Sequence, residues 1–318
     1  MEQIEGRTAF ITGGASGIGL GMAKAFVRAG MNVVVADVRD DHLDQARAWF
    51  AEAGLAGRAH ALKLDVTDRQ AYAAAADEAE RVFGKVHVLC NNAGIGISSP
   101  VSEASYADWD WGVDVNLNGV FNGVHVFLPR IRAHGEGGHI VNTASMGGIL
   151  QYSRAGVYVT TKFAVVGLSE ALNAELLDEN IGVSAFCPGG VRTNIREYEK
   201  TRPARYARPE ATAAAGGPPA WRMSEEVMKV LGEMSWEPEQ VGEMVLEGIR
   251  NDSLYIFTSP EFRPGVVERF EAILEQIGDN PELAKRAREH VPNLVSSPIY
   301  PASVARLRAS RRGSEARS

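Results

Sequence analysis

Tyr158 and Lys162 stand four residues apart in VYVTTKFAVVGLSEALNAELL, a stretch whose apolar spacing predicts a helix, so both side chains leave one face a turn apart. A phenol is a poor base near neutrality because its ordinary pKa is about 10, and a neighbouring ammonium favours the phenolate. Such a pair can move a proton. Ser145, thirteen residues before the tyrosine, closes GHIVNTAS, which reads as a strand, and its hydroxyl is a second hydrogen-bonding group. A tyrosine and a lysine at this spacing also serve surface or packing roles in ordinary helices, so the rest of the chain has to decide.

The 318 residues are 45% hydrophobic and 23% charged, enough for one large α/β domain with an appended segment. A formal charge of -7 argues against nucleic acid or an anionic membrane as the main partner. Cys90 and Cys187 are too few for a disulfide framework and fall in apolar runs, which predicts buried, reduced thiols. The seven histidines are scattered, so no metal site is expected. The opening MEQIEGRTAFITGG does not read as a signal peptide and no apolar run approaches a membrane span, so the default expectation is a cytoplasmic protein.

Elements of two kinds alternate along the first two-thirds. TAFIT, NVVVAD, AHALKLDV, VHVLCNN, GHIVNTAS, GVSAFCP and LYIFT read as strands and are separated by helical patterns, the signature of repeated βαβ units around a parallel sheet. Strands this apolar require helices on both faces. The predicted organisation is a catalytic domain over residues 1–260 interrupted by a Pro-, Ala- and Gly-rich connection at about 190–225, a helical extension over 261–300, and a basic, frayed tail over 301–318.

TGGASGIG lies between the first strand and the first helix, where Gly13, Gly17 and Gly19 let backbone N–H groups approach a pyrophosphate beside a helix N-terminus. Its spacing is not GxGxxG, and the bland reading is a tight turn. Asp37, ending the second strand, is placed to accept hydrogen bonds from ribose hydroxyls and to repel a 2′-phosphate, favouring NAD over NADP. Arg39 is the counter-signal, since an arginine there can also serve a phosphate. Asp65 and Val66 are placed for the adenine, and Asn92, Ala93 and Gly94 for a close backbone approach.

Together these residues resemble the classical short-chain dehydrogenases/reductases: TGGASGIG, Asp37, NNAG, the segment ending in Asn116, Ser145, YxxxK and CPGGVRT match that family's motifs in order over roughly residues 6–258. The resemblance implies a single Rossmann-type doubly wound sheet of about seven strands. It also implies an enzyme that interconverts a secondary alcohol and a ketone by hydride transfer. Tyr158 is then the acid/base, Lys162 tunes it and holds the nicotinamide ribose, Ser145 positions the reacting oxygen, and Asn116 supports a proton relay. Ser16 and Ile18 join the cofactor turn, while Pro188, Gly189, Val191 and Thr193 bend over the nicotinamide. A finer similarity is to dehydrogenases of bulky aryl secondary alcohols, including those acting on lignin β-aryl ethers. Substrate-wall candidates are Ile95, Ile97, Met146, Gln151, Tyr152, Tyr198 and Trp221, forming a roomy apolar cleft with a lid.

The helix carrying Tyr158 is apolar on more than one side, which predicts a homodimer or homotetramer through it; cover from the C-terminal extension is the alternative. Two other functions share parts of the pattern. A catalytically silent dinucleotide-binding protein would tend to lack one of the four catalytic residues, and an extended-type nucleotide-sugar epimerase would not carry this glycine turn.

Overall fold

The computed structural model describes residues 1, 3–152, 154–208 and 225–315. Seven strands, β1 (Thr8–Thr12), β2 (Asn32–Asp37), β3 (Ala59–Lys63), β4 (Val88–Asn91), β5 (Gly138–Thr143), β6 (Ile181–Cys187) and β7 (Tyr255–Phe257), form one parallel sheet in the order β3-β2-β1-β4-β5-β6-β7. The winding direction reverses between β1 and β4, which opens a crevice beyond the carboxyl ends of the strands. This is the doubly wound, Rossmann-type α/β arrangement expected from the alternating pattern.

The helices α1 (Gly17–Arg28), α2 (Asp40–Glu52), α3 (Arg69–Phe83), α4 (Tyr106–Val113), α5 (Gly119–His134) and α6 (Gly156–Glu175) follow in chain order. Beyond the strap described below come α7 (Glu225–Glu233) and α8 (Pro238–Arg250). Apolar side chains cover both sheet faces: Met22, Phe26, Val245 and Ile249 on one, Tyr72, Phe127, Ile131 and Leu172 on the other. At Gly21 of α1 a Cβ would sit 2.0 Å from the carbonyl oxygen of Pro238, so α1 and α8 touch backbone to backbone only because that position has no side chain. A polar chain also crosses the core. Tyr72 donates to Asn91 (3.1 Å), Asn91 to Asn142 (2.9 Å) and Asn142 to Ser169 (3.1 Å), linking α3, β4, β5 and α6 through groups that would be costly if unpaired.

The C-terminal arm comprises α9 (Arg263–Ile277), α10 (Pro281–His290), α11 (Pro292–Val295) and α12 (Ile299–Glu315). The basic tail expected to fray over 301–318 is therefore helical as far as Glu315. Ile299 is 2% exposed, the Tyr300 hydroxyl donates to Glu170 (3.1 Å), and Arg306 pairs with Asp252. Those anchors lie on α6 and in the turn before β7, and the tail's own composition carries no trace of them. No helix among the described residues is long and apolar enough to cross a membrane.

Candidate active site

The cleft lies at the carboxyl edge of the sheet. Gly13 (φ 59°) and Gly17 (φ 50°) take left-handed conformations that let the turn after β1 double back into α1. The Thr12 hydroxyl oxygen accepts from the backbone N–H groups of Asn92 (2.9 Å) and Ala93 (3.0 Å), tying the ends of β1 and β4 together. A Cβ on Gly13 would lie 2.9 Å from the Ala93 Cα, and one on Gly94 3.2 Å from Asn116 Oδ1 and 3.6 Å from Lys162 Nζ. Bare backbone at these points leaves room for a dinucleotide, and the residues present fit one. Gly13, Ser16, Gly17, Ile18, Asp37, Asp65, Val66, Asn92, Ala93, Gly94, Pro188 and Thr193 all line this cleft, together with Tyr158 and Lys162.

Three of the expected cofactor residues stand off the wall. A Cβ on Gly19 would meet the Gly13 carbonyl at 2.1 Å, so it serves close packing of α1 on the turn. Gly189 faces Ser259, where a Cβ would lie 2.0 Å from the hydroxyl oxygen, and Val191 pairs with Trp236 in a short parallel bridge.

Burial raises the pKa of Asp37, while the N–H groups of Arg39 (3.1 Å) and Ala15 (3.3 Å) that its carboxylate accepts act in the opposite direction. Arg39 also lines the cleft, its guanidinium held by both oxygens of Asp41 (3.0 and 2.5 Å) with Glu197 3.8 Å off. Asp65 is shared. One oxygen accepts from the N–H and hydroxyl of Thr67 (3.0 and 2.7 Å), the other from Arg205 (3.0 Å); burial pushes its pKa up, and these partners outweigh that and hold it low.

Asn116 sits in a π-turn over Asp114–Asn118, a local underwinding of the helix that is frequent at functional sites. Its amide oxygen accepts from the Ile95 N–H (2.8 Å), and its amide nitrogen donates to the Ile95 carbonyl (3.0 Å) and the Thr161 hydroxyl (3.2 Å). Lys162 donates to the Thr143 carbonyl (2.8 Å), and its ammonium stands 5.6 Å from the Tyr158 ring centroid. Burial holds the Lys162 ammonium down to about 8. Burial also raises the Tyr158 phenol, and the hydrogen-bonded hydroxyl of Ser145 opposes that rise. Ser145 is itself held by the Gly147 N–H (3.0 Å).

The substrate-wall residues divide. Ile95 and Tyr198 line the cleft. Ile97, 1% exposed, is instead packed among Trp111, Val157 and Tyr206, and Met146, 2% exposed, lies in the cluster beneath α6; both were read as wall residues because sequence position shows the end of a strand but not the direction of the side chain. Gln151 is exposed, Tyr152 packs on Phe262 with ring centroids 6.5 Å apart, and Trp221 lies outside the described residues.

What the motifs did not reveal is the strap over residues 195–208. Asp108, 1% exposed, takes Arg202 (2.6 Å) and Arg208 (3.0 Å) together. Arg202 lies 4.3 Å over the Trp111 ring, which Tyr206 also stacks, and the Tyr206 hydroxyl donates to Asp114 (2.6 Å). Arginines at every third position of TRPARYAR were the only signal, and their partners, Asp108 on α4 and Asp65 after β3, are unknowable without the fold.

A family model described as short chain dehydrogenase matches residues 7–204. The chain belongs to the short-chain dehydrogenase family. It is 39% identical over 300 residues to a C alpha-dehydrogenase of Sphingobium sp. strain SYK-6, spanning 93% of this short-chain dehydrogenase and 94% of that relative. It is 36% identical to a 3beta-hydroxysteroid dehydrogenase 2 of Eggerthella lenta over 60% of this chain and 74% of the relative. Among solved structures, a short chain dehydrogenase/reductase from Burkholderia phymatum in complex with NAD superposes with a TM-score of 0.78 at 33% identity, covering 88% of this chain and 98% of that one. The apo form of LigO from Sphingobium sp. strain SYK-6 gives 0.74 at 40% identity, covering 94% and 100%. This short-chain dehydrogenase is thus an oxidoreductase that uses a nicotinamide dinucleotide on secondary alcohols and ketones.

Proposed function

We propose that the enzyme interconverts a bulky, largely aromatic secondary alcohol and its ketone, with NAD as cofactor and Tyr158 as acid/base. The observation that carries this reading is that Tyr158 and Lys162 line one cleft, with the Ser145 hydroxyl hydrogen-bonded to Tyr158 and Asn116 buried behind Gly94. NAD supplies the hydride acceptor when bound. In the oxidative direction Tyr158 takes the carbinol proton while Ser145 shares the hydrogen bond to that oxygen. In this reading Lys162 holds a ribose hydroxyl and relays the proton onward through waters near Asn116. Asp37, with Arg39 already committed to Asp41 and Glu197, supports NAD over NADP. Trp111, Tyr198 and Ile95 give the substrate side aromatic and apolar surface, consistent with the similarity to the C alpha-dehydrogenase.

We further read the enzyme as a homo-oligomer associating through α6. The test of the activity is a screen of aryl, steroid and sugar secondary alcohols for NADH absorbance, run with NAD⁺ and NADP⁺ in parallel. Aryl alcohols with NAD⁺ should give the highest kcat/KM. Tyr158→Phe should lose at least about 100-fold in kcat, the scale of a lost general acid/base, while binding NADH within about twofold of wild type. A variant retaining more than about a tenth of the rate, less than ~1.4 kcal/mol of transition-state stabilisation lost, would remove the tyrosine from its role.

A further inference from the structure

Six buried side-chain polar atoms find no hydrogen-bond partner among the described residues, and five of them gather in one region: Asn173 Oδ1, His139 Nδ1, Asp252 Oδ1, and Arg306 Nε and Nη2. A cavity of about 330 Å³ lies there, lined by Asn173, Asp252 and Arg306 and by Gly138 and Ile181, the first residues of β5 and β6. It is thus at the amino edge of the sheet, across from the active cleft. Unpaired polar groups are rare in a folded interior, and a cluster of them around a cavity of small-molecule size marks something that completes the set.

The donors and acceptors define its chemistry. Arg306 Nη1 is spent on Asp252 Oδ2, which leaves Nε–H and Nη2–H, the two parallel donors of the guanidinium fork that match a carboxylate. The acceptors are equally specific. Ser184 gives its hydroxyl proton to the Ser253 carbonyl (2.5 Å), so His139 Nε2–H donates to the Ser184 oxygen (2.8 Å) and Nδ1 is a bare lone pair. Burial holds His139 down to about 3, so the ring stays neutral and offers no proton to Asp252 Oδ1, 3.8 Å away. Asn173, 5% exposed, donates its amide nitrogen to the Val183 carbonyl (3.1 Å), and its oxygen is left to accept. The carboxylates of the wall already have cations: Glu136 holds Arg7 and Lys85, Glu179 holds Arg132 (2.8 and 2.5 Å), and Asp252 holds Arg306. The Met1 ammonium, which donates to the Ile249 carbonyl (2.9 Å), adds a further positive charge to the lining.

We propose that this cavity is a binding site for a small hydroxycarboxylate, whose carboxylate sits on the Arg306 fork and whose hydroxyl groups donate to Asp252 Oδ1 and Asn173 Oδ1. A simple anion would leave both acceptors unpaired, and a neutral polyol would leave the cationic fork unmatched. Bound there, the ligand ties α12 to the sheet. Because the cavity and the cleft lie at opposite edges of that sheet, the site is independent of the reaction.

A saturation-transfer NMR titration of glycerate into the full chain, with and without saturating NADH, tests it. Glycerate should bind with the same Kd in both, and propionate and glycerol, which carry only the charge or only the hydroxyls, should each bind at least about tenfold more weakly. Arg306→Lys keeps a cation for Asp252 but loses the fork, and should weaken glycerate binding about tenfold or more while circular dichroism stays unchanged. Asn173→Leu leaves every charge in place and should weaken it about threefold to tenfold. Displacement of glycerate by NADH would put it in the active cleft, and propionate binding as tightly would reduce the site to a generic anion contact. Each of these overturns the proposal, as does the absence of saturable binding at millimolar glycerate, or two folded variants that bind it like wild type.

Discussion

Arg205 and Asp65, 140 residues apart in the chain, meet at 3.0 Å on the wall of the cleft. Arg205 also donates to the Thr67 hydroxyl (2.6 Å), so the strap is latched to the loop after β3 at one end while Arg202 and Arg208 seize Asp108 at the other. The latch is partly exposed, its side chains 53% and 34% accessible, so it is worth no more than about 1 kcal/mol. Arg205→Ala should therefore speed NADH release roughly twofold to fivefold. Salt should do the same to the wild type by screening the pair, and should have little effect on the variant. Stopped-flow release rates at low and high salt measure both. Equal salt dependence in the two proteins removes the latch from cofactor exchange.

Because the Ser145 hydroxyl is bonded to the Tyr158 phenol and opposes the rise that burial causes, it should help set the position of the pH–rate profile. Oxidation needs the phenolate, so kcat/KM for the alcohol rises with pH and levels off above the pKa. Ser145→Ala removes a hydrogen bond to a charged oxygen, worth about 1.5–3 kcal/mol, and should move that rising limb upward by about one pH unit or more. A lower plateau with an unmoved limb would show that Ser145 positions the substrate without tuning the phenol.

Lys162 gives the opposite sign in a stability measurement. Its pKa in the folded, cofactor-free protein lies near 8, below the ordinary 10.5, so between these values the unfolded chain binds more protons and the contribution of Lys162 to folding stability rises with pH. Below about 8 the buried cation is a standing cost. Lys162→Met should consequently raise the Tm of the cofactor-free protein at neutral pH, with the gain shrinking toward pH 10, while abolishing turnover. A variant less stable than wild type at neutral pH would show that the bond to Thr143 outweighs the burial of the charge.

The preference for NAD should be carried by Asp37. Asp37→Ser removes the repulsion a 2′-phosphate would meet and should raise kcat/KM with NADP⁺ at least about tenfold relative to that with NAD⁺, the factor that 1.4 kcal/mol represents. Steady-state kinetics with both cofactors decide it; an unchanged ratio would place the discrimination elsewhere.

The linear order of residues was enough for the sheet, its covering helices and the glycine turn, because period and turn chemistry are local properties written in neighbouring residues. The strand segments read from TAFIT to LYIFT all appear in the structure, and the four residues proposed for catalysis all come to the same edge. Direction of individual side chains was not legible. Ile97 and Met146 follow strand ends as Ile95 and Ser145 do, yet they point into packing, since which way a loop residue turns depends on neighbours far along the chain. The same limit explains Trp111, the arginine strap and the anchored tail, whose partners Asp108, Asp65 and Asp252 lie from 54 to 140 residues away. It explains the phenol as well: helical spacing put Lys162 beside Tyr158, but only the packed arrangement shows the ammonium donating to the Thr143 carbonyl and the Ser145 hydroxyl bonded to the phenol.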